Sequence, residues 1–474
     1  MQVPSSFCLS DKGSDHREIR DSIGAQLMHV KYFLLLALIA ALAACGAGDN
    51  APTPTPALPT PTPAATATPA TVTLQFWTVL PDQGISEQTL NDLIQSFQKE
   101  YPSIVIKVSS QPTYTDLYRK VVASIAAGTL PDVVTGLNAD ILQYARLKAL
   151  MPLDDFASDP VNGLSKSDFD DMPAGMLETT RLAEQGQKLY SLPFARGVLA
   201  VFYDWTAMKA IGITNTPKSW DEFKLHAKSL SKNPVRGFAY RSEAGIFDAM
   251  LMSRGGSLFN AGLTRATFND TPGVDALTYL GDGVKEGWIY RAEGTSDMSD
   301  FAAGRTIFTI ASTAAIPTYQ SAINDAVKKG GKDFDWGVAL LPQADAKQPS
   351  ALLVGGNIAM MKGLDTKQQA AWLFMRWLMQ PRVTASWAQA TGVLPVRLSV
   401  RSQLDLMFTK YPAQKQVFDD LLPVAHPEAT LGAASQIHDL INAALAAVDS
   451  GKASPKAALD DAAAKVTFLL NQKQ

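Results

Sequence analysis

The chain beyond residue 70 switches repeatedly between two spacings of apolar residues. Residues 71–77 (TVTLQFW) alternate between apolar and polar side chains with a period of two, which predicts a strand. Residues 88–101 carry leucine, isoleucine and phenylalanine at helical spacing, and residues 104–108 (IVIKV) return to a strand-like run. The pattern therefore predicts a strand, a helix and a second strand in close succession.

This succession continues to about residue 150. Residues 114–127 predict a helix that ends at Gly128, because glycine readily adopts the left-handed conformation that closes helices. Residues 131–134 (PDVV) predict a short buried strand, and residues 141–149 predict another helix. Alternating strands and helices form a mostly parallel α/β sheet with helices on both faces. Ligands of such sheets lie beyond the carboxyl ends of the strands, so the loops after these three strands are the first candidates for binding.

A second series of elements begins near residue 190. Residues 199–203 (LAVFY) predict a strand, and residues 217–223 (PKSWDEF) open a helix. Ser219 and Glu222 have the spacing of a capping box at the start of that helix. The later predicted elements are strands over 306–312 and 336–340, a helix over 370–379 and two alanine-rich helices at the C-terminus.

The beginning of the chain has a different pattern. The apolar run over residues 32–44 is about a dozen residues long, whereas a membrane-spanning helix needs roughly 20. It fits the apolar region of a secretory signal, which spans roughly 7–15 residues after a cationic residue, here Lys31. We therefore predict that residues 1–44 are a signal peptide, whose true start could be Met28.

A cysteine and a biased segment follow the signal. Residues 42–45 (LAAC) resemble the lipobox of bacterial lipoproteins, which implies that Cys45 is lipidated and becomes the new N-terminus. The rest of the segment over 45–71 alternates proline with threonine and has no periodic apolar residues, so it predicts an extended spacer without a core. The expected location is extracytoplasmic, on the membrane through the lipid anchor.

Composition narrows the chemistry of the remaining part. Cys8 and Cys45 are the two cysteines, and Cys8 lies in the predicted signal, so the mature protein has no thiol for catalysis, disulfides or metal binding. The formal net charge of −3 argues against a nucleic-acid partner, which would require a basic surface. About 400 residues follow the spacer, enough for two domains. We expect no cofactor and no metal.

Short landmarks follow each other through the globular part. They are FW at 76–77, PDVV at 131–134, MPLD at 151–154, YSLPF at 190–194, FYD at 202–204, PKSWDEF at 217–223, ATFN at 266–269, DWGVALLP at 335–342, GG at 355–356 and WAQATGVLPVR at 387–397. In this order and spacing they resemble the family 1 extracellular solute-binding proteins, the sugar-binding lipoproteins of ABC importers. The resemblance runs from residue 74 to the C-terminus.

The resemblance implies a two-lobed, periplasmic-binding-protein-like fold of type II, in which each lobe is a mostly parallel α/β sheet. It implies that residues 72–195 and 354–400 form lobe 1, and that residues 196–353 and 401–474 form lobe 2. A ligand would bind in the cleft between the lobes and hold them closed. The expected partners are a sugar and the permease subunits of an ABC transporter, and the protein is expected to be a monomer and not an enzyme.

Sugars are held by aromatic faces and by planar polar groups, because their hydroxyls need both donors and acceptors. Residues of these types, and residues that match the family's cleft, occur near the expected binding edge. The predicted ligand-binding residues are Asp82, Tyr114, Asn138, Asp140, Arg196, Glu243, Phe247, Ser312, Thr313, Gly355, Gly356 and Asn357.

Several of these residues have a structural alternative. Asp82 lies in a sequence that favours a turn, and Asn138 and Asp140 could cap the next helix. Arg196 could form a salt bridge across the hinge instead of binding an acidic group or hydroxyls of the ligand. The two adjacent glycines could serve either close ligand approach or a hinge.

Two alternatives concern the class of ligand and the class of function. Members of the family that bind glycerol 3-phosphate carry a tyrosine where this chain has Val393 and an arginine where it has Thr430. We therefore favour a neutral mono- or oligosaccharide, with glycerol 3-phosphate or another polyol derivative as the alternative. A secreted hydrolase or an adhesion protein is a weaker interpretation, since the sequence carries no metal-hydrolase, serine-hydrolase or phosphate-loop motif.

Overall fold

The computed structural model describes residues 70–80 and 84–472. The predictions about the signal peptide, Cys45 and residues 45–69 of the spacer, and the prediction for Asp82, fall outside these residues. Within the described ranges, no helix has the length and apolar character needed to cross a membrane.

The strands and helices are numbered in chain order. The strands of the described residues are β1 Val72–Val79, β2 Ile104–Gln111, β3 Val133–Gly136, β4 Arg181–Leu182, β5 Lys188–Leu189, β6 Ser191–Asp204, β7 Arg236–Arg241, β8 Ile289–Ala292, β9 Thr306–Ser312, β10 Trp336–Ala339, β11 Ala351–Met360 and β12 Ala425–Pro427. The α-helices are α1 Ile85–Glu100, α2 Tyr114–Ala127, α3 Asn138–Arg146, α4 Asp154–Ala157, α5 Lys166–Asp170, α6 Ala174–Leu177, α7 Trp205–Ala210, α8 Trp220–Leu230, α9 Ala244–Ser253, α10 Thr271–Lys285, α11 Ser296–Ala302, α12 Ile316–Lys328, α13 Asp365–Leu378, α14 Pro381–Thr391, α15 Asp405–Lys410, α16 Pro412–Gln416, α17 Ala434–Asp449 and α18 Pro455–Asn471.

One sheet runs through the described part of the chain in the order β2-β1-β3-β11-β6-β9-β7-β8, with β10 on β6 and β12 on β11. Strands β1, β2 and β3 are parallel, and so are β7, β8 and β9. The two parallel groups are joined by β6 and β11, which run antiparallel to each other. The sheet is therefore mixed, with a parallel group at each end.

Strand β6 is the main connection between the two groups. Its first half, Ser191 to Val198, pairs with β11, and its second half, Leu199 to Tyr203, pairs with β9. Almost every residue of this strand is buried, because its successive side chains pack alternately into two apolar clusters on opposite faces of the sheet. The carboxyl ends of the two parallel groups consequently lie near the strands that cross between them.

The apolar side chains form three clusters. The first cluster packs Phe76 and Phe97 against Phe374 of α13, with ring centroids 5.5 Å and 5.1 Å apart from Phe374. The second lies in the β7–β9 part of the sheet, where Phe223 of α8 contacts Phe308 of β9. The third lies between α2, α3 and the sheet.

The predicted lobe boundaries have no direct test in these contacts and stay a prediction. The apolar residues of α15 and α16 pack in the first cluster, whereas those of α17 and α18 pack in the second. The first cluster also includes Phe202 of β6 and Tyr319 of α12. The segment after residue 400 is thus divided between two cores.

Local predictions were accurate where the pattern was regular. Helix α2 has the predicted bounds and ends at Gly128, whose φ is 68°. Helix α3 begins three residues earlier than predicted, at Asn138, because the Asp140 carboxylate accepts the Leu137 N–H at 3.0 Å. The predicted capping box at α8 is confirmed for Ser219 but not for Glu222.

Ser219 caps α8 through its hydroxyl, which accepts the Glu222 N–H at 3.2 Å. The Glu222 carboxylate, however, accepts the backbone N–H of Lys218 at 2.8 Å rather than that of Ser219. Two backbone N–H groups at the helix start are therefore still satisfied, as in a capping box, although the second one belongs to Lys218 instead of Ser219.

Candidate functional site

The candidate site lies at the carboxyl ends of β2 and β3, beside the crossing of β6 and β11. Tyr114 is the first residue of α2, and Thr113 caps that helix by accepting the Asp116 N–H at 3.1 Å. Asn138 is the first residue of α3, two residues after the end of β3. The two helix starts therefore place polar side chains at the edge where open α/β sheets bind ligands.

Arg196 links these residues to the crossing strands. Its side chain is 1% exposed. One terminal nitrogen donates to the Gly355 carbonyl at 2.8 Å, and the other donates to Asn138 Oδ1 at 2.8 Å, to Thr179 Oγ1 at 2.7 Å and to Asn357 Oδ1. The guanidinium thus contacts only neutral oxygens, and the salt bridge considered from the sequence is not formed with any described residue.

The two adjacent glycines let backbone and side chains approach closely at this crossing. Gly355 has a φ of 104°, and a Cβ there would collide with the Ala195 carbonyl oxygen of β6. The Tyr114 hydroxyl occupies the place where a Cβ of Gly356 would lie. Gly355 is required for steric reasons, and Gly356 leaves the space in which the phenol of Tyr114 lies against strand β11.

Burial controls the protonation of the polar groups here. Burial raises the pKa of Tyr114 to about 12, while the charge of Arg196 opposes this rise and the carboxyl of Asp140 adds to it. Burial also lowers the pKa of Arg196 to about 10. Tyr114 is therefore a neutral hydroxyl and Arg196 a cation at neutral pH.

Asp140 is the titratable acid of this group. Burial raises the pKa of its carboxyl to about 7, although the Leu137 N–H stabilises the ionised form. Tyr114 and Tyr144 lie near the carboxyl, and the Tyr144 hydroxyl is buried without a hydrogen-bond partner. The carboxyl can consequently act as a donor or as an acceptor around neutral pH.

This shift predicts a pH-dependent effect of Asp140→Asn. The folded protein binds the Asp140 proton more tightly than the unfolded chain, so the parent loses stability as pH rises from about 4 to about 7. The asparagine variant lacks this loss. We expect the difference in unfolding free energy, variant minus parent, to rise by about 2 kcal/mol between about pH 5 and about pH 8. Urea unfolding at both pH values measures it, and a difference independent of pH would contradict the assignment.

Other predicted site residues have structural contacts of their own. Asn357 is fully buried and donates to the Thr179 carbonyl at 2.9 Å and to Ser191 Oγ at 2.8 Å. Thr313 is fully buried and accepts the Val198 N–H at 3.0 Å. Both side chains hold the crossing strands in place and present no exposed atom to a ligand in this structure.

The remaining predicted residues lie on the β7–β9 side. Ser312 ends β9, and its hydroxyl accepts the Ala314 N–H at 3.3 Å. Glu243 is exposed just before α9, 3.7 Å from Arg241. Phe247 is 1% exposed, in the second core cluster, so its ring offers no face to a ligand here. The binding roles of all these residues stay predictions.

A polar cavity lies on the same side, and Glu243 is the one residue of its lining that the sequence analysis selected. It has a volume of about 290 Å³ and lies at the carboxyl ends of β7 and β8, where it touches α17. Its polar lining residues are Arg241, Ser242, Glu243, Arg291, Asn442 and Asp449. The Asp449 carboxylate accepts hydrogen bonds from Tyr240 at 2.9 Å and from Arg291 at 3.3 Å. The alanine-rich pattern of α17 gave no signal for this role.

A second missed feature is a contact between the third and second core clusters. Gln143 of α3 donates its side-chain amide to the Gly432 carbonyl, in the segment before α17. A Cβ at Gly432 would overlap the guanidinium of Arg146, also on α3. The two segments are 289 residues apart in sequence, so no local pattern could predict their contact.

Among the described residues, no group of three or more histidine, cysteine or acidic side chains is arranged to hold a metal ion. The site offers hydroxyl, amide, carboxyl and guanidinium groups. These groups bind polar solutes through hydrogen bonds.

Comparison with known proteins gives one family and several structural relatives. Residues 92–416 match the family model described as bacterial extracellular solute-binding protein. The sn-glycerol-3-phosphate-binding periplasmic protein UgpB of Escherichia coli K12 is 22% identical over 427 residues, which cover 85% of this chain and 93% of that protein.

Solved structures show the same fold. The cyclic alpha-maltosyl-1,6-maltose binding protein from Arthrobacter globiformis has a TM-score of 0.72 at 21% identity, and the match covers 85% of this chain and 99% of that one. UgpB from Mycobacterium tuberculosis, in complex with glycerophosphocholine, has a TM-score of 0.72 at 21% identity, with 85% and 100% covered. These similarities confirm the predicted two-lobed α/β fold class.

Proposed function

Because the chain belongs to the bacterial extracellular solute-binding proteins, we propose that it captures a sugar or a related polyol between its lobes and delivers it to the permease of an ABC importer. One observation carries the proposal beyond family membership. Tyr114, Asn138 and Arg196 converge at the crossing of β6 and β11, where glycines allow close approach. This edge of an open α/β sheet is where ligands bind.

The chemistry of the group suits a hydroxylated solute. Hydroxyls of a sugar both donate and accept, and the group offers a phenol, an amide, a carboxyl and a guanidinium within one region. The cavity of about 290 Å³ at β7 and β8 adds donors and acceptors on the other side of the crossing. A solute that contacts both sides would stabilise the closed arrangement of the lobes.

A binding role fits the family better than catalysis. Members of the matched family are solute-binding proteins, so we propose that the chain binds its ligand without changing it. A secreted hydrolase would need a pair of carboxylates placed for acid and base work. Among Tyr114, Asn138, Asp140 and Arg196, only Asp140 supplies a carboxyl.

Glycerol 3-phosphate or a related glycerophosphate is the second candidate ligand. The relatives named UgpB support it, because one is described as binding glycerol 3-phosphate and another is in complex with glycerophosphocholine. Val393 and Thr430 stand against it, since they replace the tyrosine and arginine expected from the resemblance.

A thermal-shift screen tests the proposal. The purified protein is heated with monosaccharides, oligosaccharides, polyols, glycerol phosphates and, as a comparison class, amino acids. A ligand present at about 100 times its dissociation constant should stabilise the fold by about 2.7 kcal/mol and raise the melting temperature. A shift with one solute class that Tyr114→Ala removes supports the site. A well-folded protein that no sugar or polyol stabilises contradicts the proposal.

We further propose that the mature protein is a monomer tethered to the outside of the membrane through lipidated Cys45. The sequence LAAC and the proline–threonine spacer support this proposal. Expression of Cys45→Ser in a bacterial host should move the protein from the membrane fraction to the soluble fraction, because the variant cannot accept the lipid. An unchanged distribution would contradict lipid anchoring.

A further inference from the structure

One short segment between β12 and α17 connects the core clusters. Ala425 of β12 packs in the first cluster, and Leu431 packs in the second. The carbonyl of Gly432 accepts the side-chain amide of Gln143 on α3, the helix that lines the third cluster. Residues 428–433, here called the strap, therefore pass from one core to another and contact the third.

Glu428 fixes the first residue of the strap to α17. Its two carboxylate oxygens lie 2.9 Å and 3.0 Å from Nε2 of His438, which is in the second turn of that helix. The Glu428 side chain is 23% exposed and that of His438 is 36% exposed. A second acid, Asp248 of α9, is buried and interacts with both groups. The strap is thus held to the second core by ionisable side chains.

The imidazole of His438 is the one cation of this cluster. The acids that act on it are Glu428 of the strap, Asp248 of α9 and Asp439 of α17. The helices α10 and α18 also pack against α17, but among the described residues they supply no charge that acts on the imidazole. Burial lowers the pKa of His438, but the hydrogen bond and the charge of Glu428, together with the other two acids, outweigh burial. The pKa of His438 therefore lies above its usual value of 6.5.

Loss of the His438 proton changes the charge balance at the strap. A group whose pKa is raised by folding stabilises the fold fully below its unfolded pKa, and this contribution is lost as pH rises through the folded pKa. The contact between Glu428 and His438 is therefore strongest below about pH 6.5 and weakens above it. At higher pH the acids Glu428 and Asp248 face each other without a cation, and burial makes their repulsion stronger than in water.

We propose that the protonated imidazole of His438 holds the strap against the second core cluster, and that the strap loosens as pH rises and this proton is lost. The proposal rests on the proposed function in one respect, since the strap would connect parts of the protein that close on a solute. Gly432 of the strap contacts α3, and α3 begins at Asn138 of the candidate site. A loosened strap would weaken that contact, so solute capture would be less effective in alkaline surroundings.

NMR of the purified protein with isotope-labelled histidine tests the titration without a solute. The His438 signal, assigned by its loss in His438→Gln, should titrate above pH 6.5, and Glu428→Gln should lower its pKa by removing the partner of the imidazolium. His426→Gln is the matched control, because His426 lies 3.7 Å from Glu178 but both side chains are more than half exposed. This control should leave the His438 titration unchanged. A His438 pKa at or below 6.5 that Glu428→Gln does not change would overturn the proposal.

Hydrogen exchange of the same proteins measures the strap itself. Amide protection of residues 428–433, corrected for the chemical exchange rate at each pH, should fall about 5-fold between about pH 6 and about pH 9, because a charge-assisted hydrogen bond gives way to a weaker one. His438→Gln should abolish this pH dependence, since glutamine has no such proton to lose, and His426→Gln should retain it. Helix α13, which packs in the first cluster, is the internal reference and should keep its protection.

The outcomes separate the strap from the proposed function. Protection of the strap that does not depend on pH, or an equal fall in α13, would overturn the proposal. A fall that persists in His438→Gln, or that Asp140→Asn removes, would assign the titrating group elsewhere and would also overturn it. If the thermal-shift screen finds no solute while the strap responds to pH as expected, the proposed function fails and the pH-sensitive strap stands.

Discussion

Gly355→Val should lower the free energy of unfolding by about 4 kcal/mol or more. Gly355 has a φ of 104°, which a β-branched residue rarely adopts, and its Cβ would overlap the Ala195 carbonyl oxygen. Backbone strain of this kind and overpacking each cost about 1–3 kcal/mol. Strand β11 lies in the middle of the sheet and pairs with both β3 and β6, so it has little room to shift.

Urea unfolding of the parent and the variant measures this effect. Gly281→Ala is a suitable control, because Gly281 lies in α10, where a Cβ has open space around it. We expect the control to be neutral or slightly stabilising, by about 0.5–1 kcal/mol, as for glycine to alanine within a helix. A Gly355→Val protein as stable as the control would contradict the crowded crossing described here.

Gly432→Leu should weaken solute binding by about 30-fold without a comparable loss of stability. The segment before α17 contacts α3 through the Gly432 carbonyl and Gln143, and a side chain at Gly432 would collide with Arg146. The two segments belong to different core clusters, so we expect this contact to form as the lobes close on the solute. A ligand binds more weakly when the state that it prefers is less populated.

Calorimetry with the solute identified by the screen measures the change, and urea unfolding checks stability. Gly281→Ala again serves as the control that leaves affinity unchanged, because Gly281 lies on α10 with open space around it. Equal affinity in the Gly432→Leu variant would mean that this contact does not depend on closure. A large loss of stability would mean that it belongs to the fold of the free protein.

The elements that sequence predicted best depend on local spacing. Helix α2 and strand β9 have their predicted bounds, because regular apolar spacing and a terminal glycine or polar residue define them without distant contacts. The start of α3 was missed by three residues, since a side chain within the first turn, Asp140, decides where the backbone bonds begin. Sequence alone does not show which nearby polar side chain will accept the free backbone N–H groups at the start of a helix.

The candidate site was also predicted in part. That part depends on the expected position of residues in the fold and not on local spacing. The rule that ligands lie at the carboxyl ends of strands identified Tyr114 and Asn138, and a position at the expected crossing between the lobes identified Arg196. The structure brings the three residues together. Thr179 was not anticipated, because its role comes from its position beside Arg196 in the fold and from no motif. Phe247 was selected from a loose resemblance, whereas its burial depends on packing against Phe268.

The charge balance of Arg196 shows what structure adds to sequence. The sequence left open a hinge salt bridge or a ligand contact for this arginine. The first alternative needs a carboxylate nearby, and the described residues place only neutral oxygens around the guanidinium. Arg397, by contrast, is a buried arginine that pairs with a carboxylate, that of Asp168.

A crystal structure of the protein with the solute found in the screen tests the central claim most directly. The account predicts that the solute lies at the crossing of β6 and β11, next to Tyr114 and Arg196, and also contacts residues at the carboxyl ends of β7 to β9. A solute bound elsewhere, or one that contacts only one side of that crossing, would contradict a cleft that captures its ligand by closing.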